Sequence, residues 1–263
     1  MHDLEIKKVE KAMKTGKGLE LQPNRLVLGL AFVAIALGGC RKGGSLTSES
    51  VRSSPEGTPC PAPGGMIADG DDNNNQVNVV EGRGGYWYTF VDEAGSDVWP
   101  TAGSKGGTFE MSPGGANGTQ FAAHMKGTIG TGNIVYVGMG MNFVDPKGPY
   151  DASKYQGVTF WAKKGPGSTG NVRLKMPDNS TDPDGGVCSE CFNDFGVDMK
   201  LTEEWTQYTL LFDNMSQQKG WGSPRKSDID KASVYGIQFQ VNDKGQPFDI
   251  WVDNIQFTGC GGG

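Results

Sequence analysis

The chain has 263 residues, 42 of them Gly and 14 Pro, and a formal net charge of −6. Gly and Pro together make up about a fifth of the chain against a usual eighth or so, but no Gly-X-Y period runs through it, so it is not collagen-like. Hydrophobic residues at 36% and aromatics at 10% allow a packed core, which excludes a mainly disordered chain.

The acidic balance and the lack of a basic patch argue against a nucleic-acid partner. Only His2 and His124 are present, which excludes multi-His zinc sites and leaves one candidate base for a Ser-His or Cys-His arrangement.

Residues 26–39 read LVLGLAFVAIALGG. This apolar run is too short for a confident membrane span. Lys14, Lys17 and Arg25 precede it, which fits a signal peptide, with Met13 as an alternative start. Leu37-Gly38-Gly39-Cys40 resembles the bacterial lipobox, in which small residues let the peptidase approach the backbone and the Cys thiol takes up diacylglycerol. An uncleaved anchor and an ordinary secretory signal are the alternatives. On the lipoprotein reading, residues 1–39 are a signal peptide and Cys40 is the lipidation site. Cleavage there removes six of 24 basic and four of 30 acidic residues, leaving a net charge of −8. Such a domain is held to the lipid bilayer by acyl chains rather than by charge. Arg41 follows Cys40 where an inner-membrane retention signal has Asp. The expected location is therefore the outer membrane or cell surface of a Gram-negative bacterium.

From Arg41 to Gly65, fourteen of 25 residues are Gly, Ser or Pro. Residues 40–65 read as a tether that lifts a domain off the membrane. Four further cysteines, Cys60, Cys188, Cys191 and Cys260, allow three connectivities. Cys188 and Cys191 have redox-pair spacing, but Asp and Gly around them indicate a loop rather than a βαβ unit. A zinc site using all four is a second option. In an exported chain, disulfides Cys188–Cys191 and Cys60–Cys260 are preferred, the latter joining the ends of a domain spanning 66–260.

That domain reads as all-β. Short alternating runs replace any sustained helical period. Strands are expected at 86–90, 119–126, 158–163, 171–176, 206–212, 234–241 and 248–257. In the second, Ala123 and Met125 face inward and His124 outward; in the sixth, Ile237 and Phe239 face inward and Gln238 and Gln240 outward. The pattern fits a two-sheet antiparallel β-sandwich with Gly-rich connections. Polar faces carrying Gln120, His124, Trp161, Arg173, Lys175, Gln238 and Gln240 suit sugar recognition, since planar donors meet vicinal hydroxyls and rings cover pyranose faces. An ordinary solvated face is the plain alternative.

Several segments carry a resemblance: Met66-Ile67-Ala68-Asp69-Gly70-Asp71-Asp72, Gly82 to Tyr88, Gly157-Val158-Thr159-Phe160-Trp161-Ala162, Trp205 to Thr209, and Ile250-Trp251-Val252-Asp253-Asn254-Ile255. The set is similar to galactose-binding-like jelly rolls of carbohydrate-binding modules, especially family 11 and the complex I intermediate-associated domain. The resemblance implies a jelly roll that binds a polysaccharide, of β-glucan type, along a concave sheet face without catalysis. It also implies a structural Ca²⁺, carried over to Asp71 and Asp253 with Asp69 and Asp72 nearby, a hard oxygen set. Gly70 and Asp71 stand where that family more often has Phe and Glu.

An enzyme is weighed against this. The Glu-x-Asp-x-x-Glu signature of jelly-roll hydrolases is absent, and Asp92-Glu93 are neighbours on opposite faces rather than a facing dyad. His124 with Tyr136 or Tyr88 is the remaining lyase candidate. A surface scaffold or adhesion protein without sugar affinity is the other alternative. The stacking candidates are Tyr88, Trp99 and Trp221, with Trp161 as either a stacker or a residue under a loop. The polar candidates are Arg173, Gln238, Gln240 and His124. Trp87, Trp205 and Trp251 are assigned to packing. A lipidated module of this kind is expected to capture polysaccharide or to recruit a separate glycoside hydrolase.

Overall fold

Period-two alternation becomes eleven strands in the computed structural model, which describes residues 57–260. In chain order these are β1 (Met66–Ala68), β2 (Trp87–Val91), β3 (Met111–Pro113), β4 (Phe121–Thr128), β5 (Val137–Asn142), β6 (Gly157–Lys164), β7 (Asn171–Met176), β8 (Phe195–Lys200), β9 (Thr206–Leu211), β10 (Gly236–Val241) and β11 (Pro247–Thr258). The signal peptide, Cys40 and the tether up to residue 56 lie outside the described residues.

All strand pairings among these are antiparallel. One sheet runs β3-β4-β11-β6-β9, with β1 also on β11, and the other runs β2-β5-β10-β7-β8. The expected strands at 171–176 and 206–212 match β7 and β9 closely. Neither β5 nor β8 is anticipated from the sequence.

The inward faces meet in a single core. Phe160 of β6 and Phe239 of β10 cross between the sheets, centroids 5.2 Å apart at 75°. Met125, Met139, Leu174, Ile237 and Ile250 surround them without exposure. Burial of each such side chain contributes about 1.5–3 kcal/mol.

The last strand holds the six-stranded sheet together, and its parity changes midway. Phe248, Ile250 and Val252 point inward, and beyond the register shift between Asp253 and Gln256 it is Ile255 and Phe257 that are buried. Asn254 makes the bulge at φ +50°, a conformation Asn tolerates better than most residues. The Asp253-Asn254-Ile255 motif is therefore a bulge in the central strand.

Both preferred disulfides form. Cys60–Cys260 closes the domain end to end, and Cys188–Cys191 pins a loop before β8. Gly259 also donates to the Thr58 carbonyl, so the two ends run side by side.

Candidate functional site

Two outward faces carry the sequence-predicted residues, one on each sheet. Tyr88, Arg173, Gln238 and Gln240 share the outer face of the five-stranded sheet. Trp99, His124 and Trp161 belong to the six-stranded sheet on the opposite side. Alternation fixes whether a residue points in or out but not which sheet carries it, so one site assembled from all of these is corrected here to two separate surfaces. His124 is likewise on the opposite side from Tyr88 and Tyr136, which removes the acid–base pairing considered above.

The five-stranded face is built in two cross-strand rows. Tyr88, Gly140, Gln238, Lys175 and Gly196 are level with one another, as are Phe90, Gly138, Gln240, Arg173 and Asp198. The glycines of β5 decide the shape. A Cβ on Gly138 would stand 2.2 Å from Cζ of Phe90, and one on Gly140 would stand 3.1 Å from the Tyr88 hydroxyl. The two rings lean across β5 into space that any side chain would fill. Tyr136, just before β5, extends the line: Tyr88–Phe90 and Phe90–Tyr136 centroids lie 6.2 and 6.5 Å apart, tilted by 45° and 36°. Asp92 positions Tyr136, accepting from its backbone N–H at 2.8 Å while also accepting from the Ser96 hydroxyl.

Polar groups beside this line are already oriented. Gln238 Nε2 donates to the Tyr88 hydroxyl at 3.0 Å, which leaves the phenol proton to donate outward. Burial pushes the Tyr88 phenol above its ordinary value and the Asp194 and Asp182 charges add to the rise, so it stays neutral. Lys175 pairs with Asp194 at 2.8 Å and donates to Gln240 Oε1 at 3.2 Å, so the Gln240 amide N–H groups are left for other acceptors. Arg173 reaches Asp198 at 3.1 Å and donates to the Ser216 carbonyl. Its guanidinium thus ties β7 to β8 and to the loop that follows β9. Phe90 and Tyr136 complete a surface for which sequence reasoning selected Tyr88, Arg173, Gln238 and Gln240, with Lys175 on the same polar face. Spacing within Tyr86-Trp87-Tyr88-Thr89-Phe90 was the available signal for Phe90, two positions from Tyr88.

The six-stranded face uses its rings differently. His124 and Trp251 stack at 3.7 Å and 13°, and Trp99 meets His124 edge-on at 5.4 Å. Lys163 lies over both Trp205 and Trp251, and Lys126 over Trp99. Ser112, His124 and Asp249 have the composition of a nucleophilic triad. His124 Nδ1 is 3.2 Å from the Ser112 hydroxyl, and its Nε2 is 2.9 Å from Asp249, whose same oxygen accepts from Trp251 Nε1. Ser112 and His124 are buried and the imidazole is covered by Trp251, so the group is a packed ladder. Trp161 stands level with Asp253 and Gln207, half-buried.

Trp221 lies in the loop beyond β9 and is 37% exposed. Trp87 packs as expected, stacked on Phe109.

The acidic residues meet at the 114–121 segment. Asp71 accepts from the Gln120 and Phe121 N–H groups, and Asp253 from Ala116 N–H and the Thr119 hydroxyl. Asp69 accepts from Asp71 N–H. Among the described residues no three His, Cys, Asp or Glu side chains gather as a metal cluster. Burial pushes the Asp253 carboxyl up and the nearby Asp71 charge adds to this, against hydrogen bonds that pull it down.

The family model described as carbohydrate binding domain 30 matches residues 77–259. Among solved structures, the chain is similar to a family 11 carbohydrate-binding module from Clostridium thermocellum in complex with a β-1,3-1,4-mixed-linked tetrasaccharide. They share 18% identity over 74% of this chain and 95% of that one, with a TM-score of 0.50. It is also similar to the family 30 module of the cellulosomal cellulase Cel9D-Cel44B of Clostridium thermocellum, at 14% identity over 73% of this chain and 95% of that one, TM-score 0.47. None of the curated proteins matches. The first likeness establishes the β jelly-roll sandwich.

Proposed function

Because this chain belongs to the carbohydrate binding domain 30 family, whose modules bind carbohydrate without catalysis, we propose that the outer face of its five-stranded sheet holds a β-glucan chain. The observation that carries this is the line Tyr88–Phe90–Tyr136, laid beside glycines and flanked by Gln238, Gln240 and Lys175. Rings that lean on the sheet offer a face to a pyranose ring, while the amides and the Tyr88 hydroxyl meet its equatorial hydroxyls. The choice of β-glucan is supported by the mixed-linked tetrasaccharide bound to the family 11 neighbour. Arg173 acts here as a positioning residue.

Two further parts complete the proposal. Ca²⁺ would be held by Asp71 and Asp253 beside Asp69, where a divalent cation would relieve the repulsion between two carboxylates that grip the same segment. Cys40 carries acyl chains that anchor the module at the outer membrane, facing polysaccharide that a separate glycoside hydrolase degrades.

Native affinity electrophoresis of the full chain tests the central reading. The gels contain mixed-linkage glucan, xyloglucan, glucomannan, xylan or pectin, each with calcium and with chelator. Retardation by β-glucans, with no new reducing ends, is the expected result. No retardation in any gel overturns the reading. Loss of thermal stability in chelator, reversed by Ca²⁺, is the expected sign of the metal site; at a hundredfold excess over Kd the ion would add about 2.7 kcal/mol. Incorporation of labelled fatty acid that disappears in Cys40→Ala tests the anchor.

A further inference from the structure

Beyond β8, two loops form a rim that the face itself does not explain. Phe192 is 49% exposed at φ +73°, a left-handed conformation that is an outlier for a bulky residue. Trp221 stands exposed on the facing loop. Two large aromatics presented to solvent, one at the expense of backbone strain, sit on a closely fixed base. The Cys188–Cys191 disulfide closes the turn before Phe192. Asn193, next to it, donates to the Gln218 and Trp221 carbonyls at 2.9 and 2.6 Å and accepts from Gln218 N–H at 2.8 Å. Glu190 accepts from Gly222 N–H at 2.8 Å. Gly222 is required by contact, because a Cβ there would lie 2.6 Å from that of Asn193.

The rim is continuous with the glycan face. Asp194 carries the Lys175 ion pair and the Ser216 carbonyl receives Arg173, so both cations of the face reach into these loops. A groove of about 480 Å³ on this face is lined by Arg173 and Asp198 of the sheet and by Gln218 of the second loop, whose carbonyl Asn193 holds. Five strands span about 19 Å, so a short ligand seated on Tyr88 stops before the rim and a longer one enters it.

We infer that Phe192 and Trp221 form an additional aromatic subsite, held by the Cys188–Cys191 disulfide, that stacks the distal sugar units of a glucan chain crossing the five-stranded face. The inference rests on the proposed function of that face. Calorimetry of the full chain with a β-linked glucan disaccharide and a β-1,3-1,4-mixed-linked octasaccharide tests it. Phe192→Ala and Trp221→Ala are expected to weaken octasaccharide binding about tenfold and to leave disaccharide binding unchanged. The double variant Cys188→Ser/Cys191→Ser should show the same length-dependent loss. Phe192→Gly is the decisive variant: glycine suits the positive φ, so Tm should rise while octasaccharide affinity falls. If the rim variants keep full affinity for both ligands while Tyr88→Ala loses both, the rim inference is overturned and the face reading stands. If the unaltered protein binds neither oligosaccharide, both are overturned.

Discussion

The two outer faces contain similar residue types and use them in opposite ways. On the six-stranded sheet the ring faces are turned on each other, with His124 against Trp251 at 3.7 Å and Lys163 over two indoles. Those quadrupoles and ring faces are satisfied within the protein. On the five-stranded sheet, neighbouring rings stay more than 6 Å apart and tilted, and lean over glycine instead of one another. Composition alone does not separate a packed aromatic face from a binding one. The difference lies in what each ring covers, and on the side proposed for binding the sequence signal is the glycine beneath it.

Mutations can break this contrast. Trp251→Ala should have the largest effect, a loss of about 3 kcal/mol in folding stability, because it removes the centre of the ladder. Urea denaturation would read the loss, and β-glucan affinity should be unchanged. If affinity collapses while stability holds, the assignments of the two faces are reversed. Gly138→Ala should cost about 1–3 kcal/mol through overpacking, since the new methyl meets Phe90 and the Phe239 carbonyl. Displacing Phe90 should also lower affinity, so the glycine links stability to binding. Tyr88→Ala and Phe90→Ala should each reduce affinity about tenfold, about 1.4 kcal/mol. Electrophoretic retardation would measure it, with little change in Tm.

Much of the sandwich was legible. The alternation of β4, β6, β7, β9, β10 and β11 is clean because one face of each is buried in a common core, and the four cysteines paired as export chemistry suggests. The strand Val137–Asn142 was not legible, because Gly138 and Gly140 read as loop. Only the three-dimensional position of Tyr88 and Phe90 explains why glycine occupies a strand centre. The same gap hid the site. Gln238 and His124 are both outward by parity, yet sheet membership depends on long-range pairing: Gln238 with Gly140 and Lys175, His124 with Trp251.

The smallest expected effect sharpens the contrast by pH. His124 is the only histidine among the described residues. Burial pushes its imidazole below the usual range, and Lys126 and Lys163 add to this against the opposing Asp249 contacts. The folded state therefore takes up its proton less readily than the unfolded chain, whose histidine titrates near 6.5. Stability contributed by the neutral ring is complete above about pH 7 and lost as pH falls through the unfolded value, levelling off below the folded one. Asp182 and Asp253, whose carboxyls burial raises, act in the opposite direction at lower pH, since protonating them favours the folded state. Thermal denaturation from pH 7.5 to 5 should thus show a modest fall in Tm that His124→Gln removes. β-Glucan affinity over the same range should stay constant, because Tyr88 remains neutral throughout. An affinity that tracks His124 would place that imidazole in the binding surface and join the two faces that the sheet pairing separates.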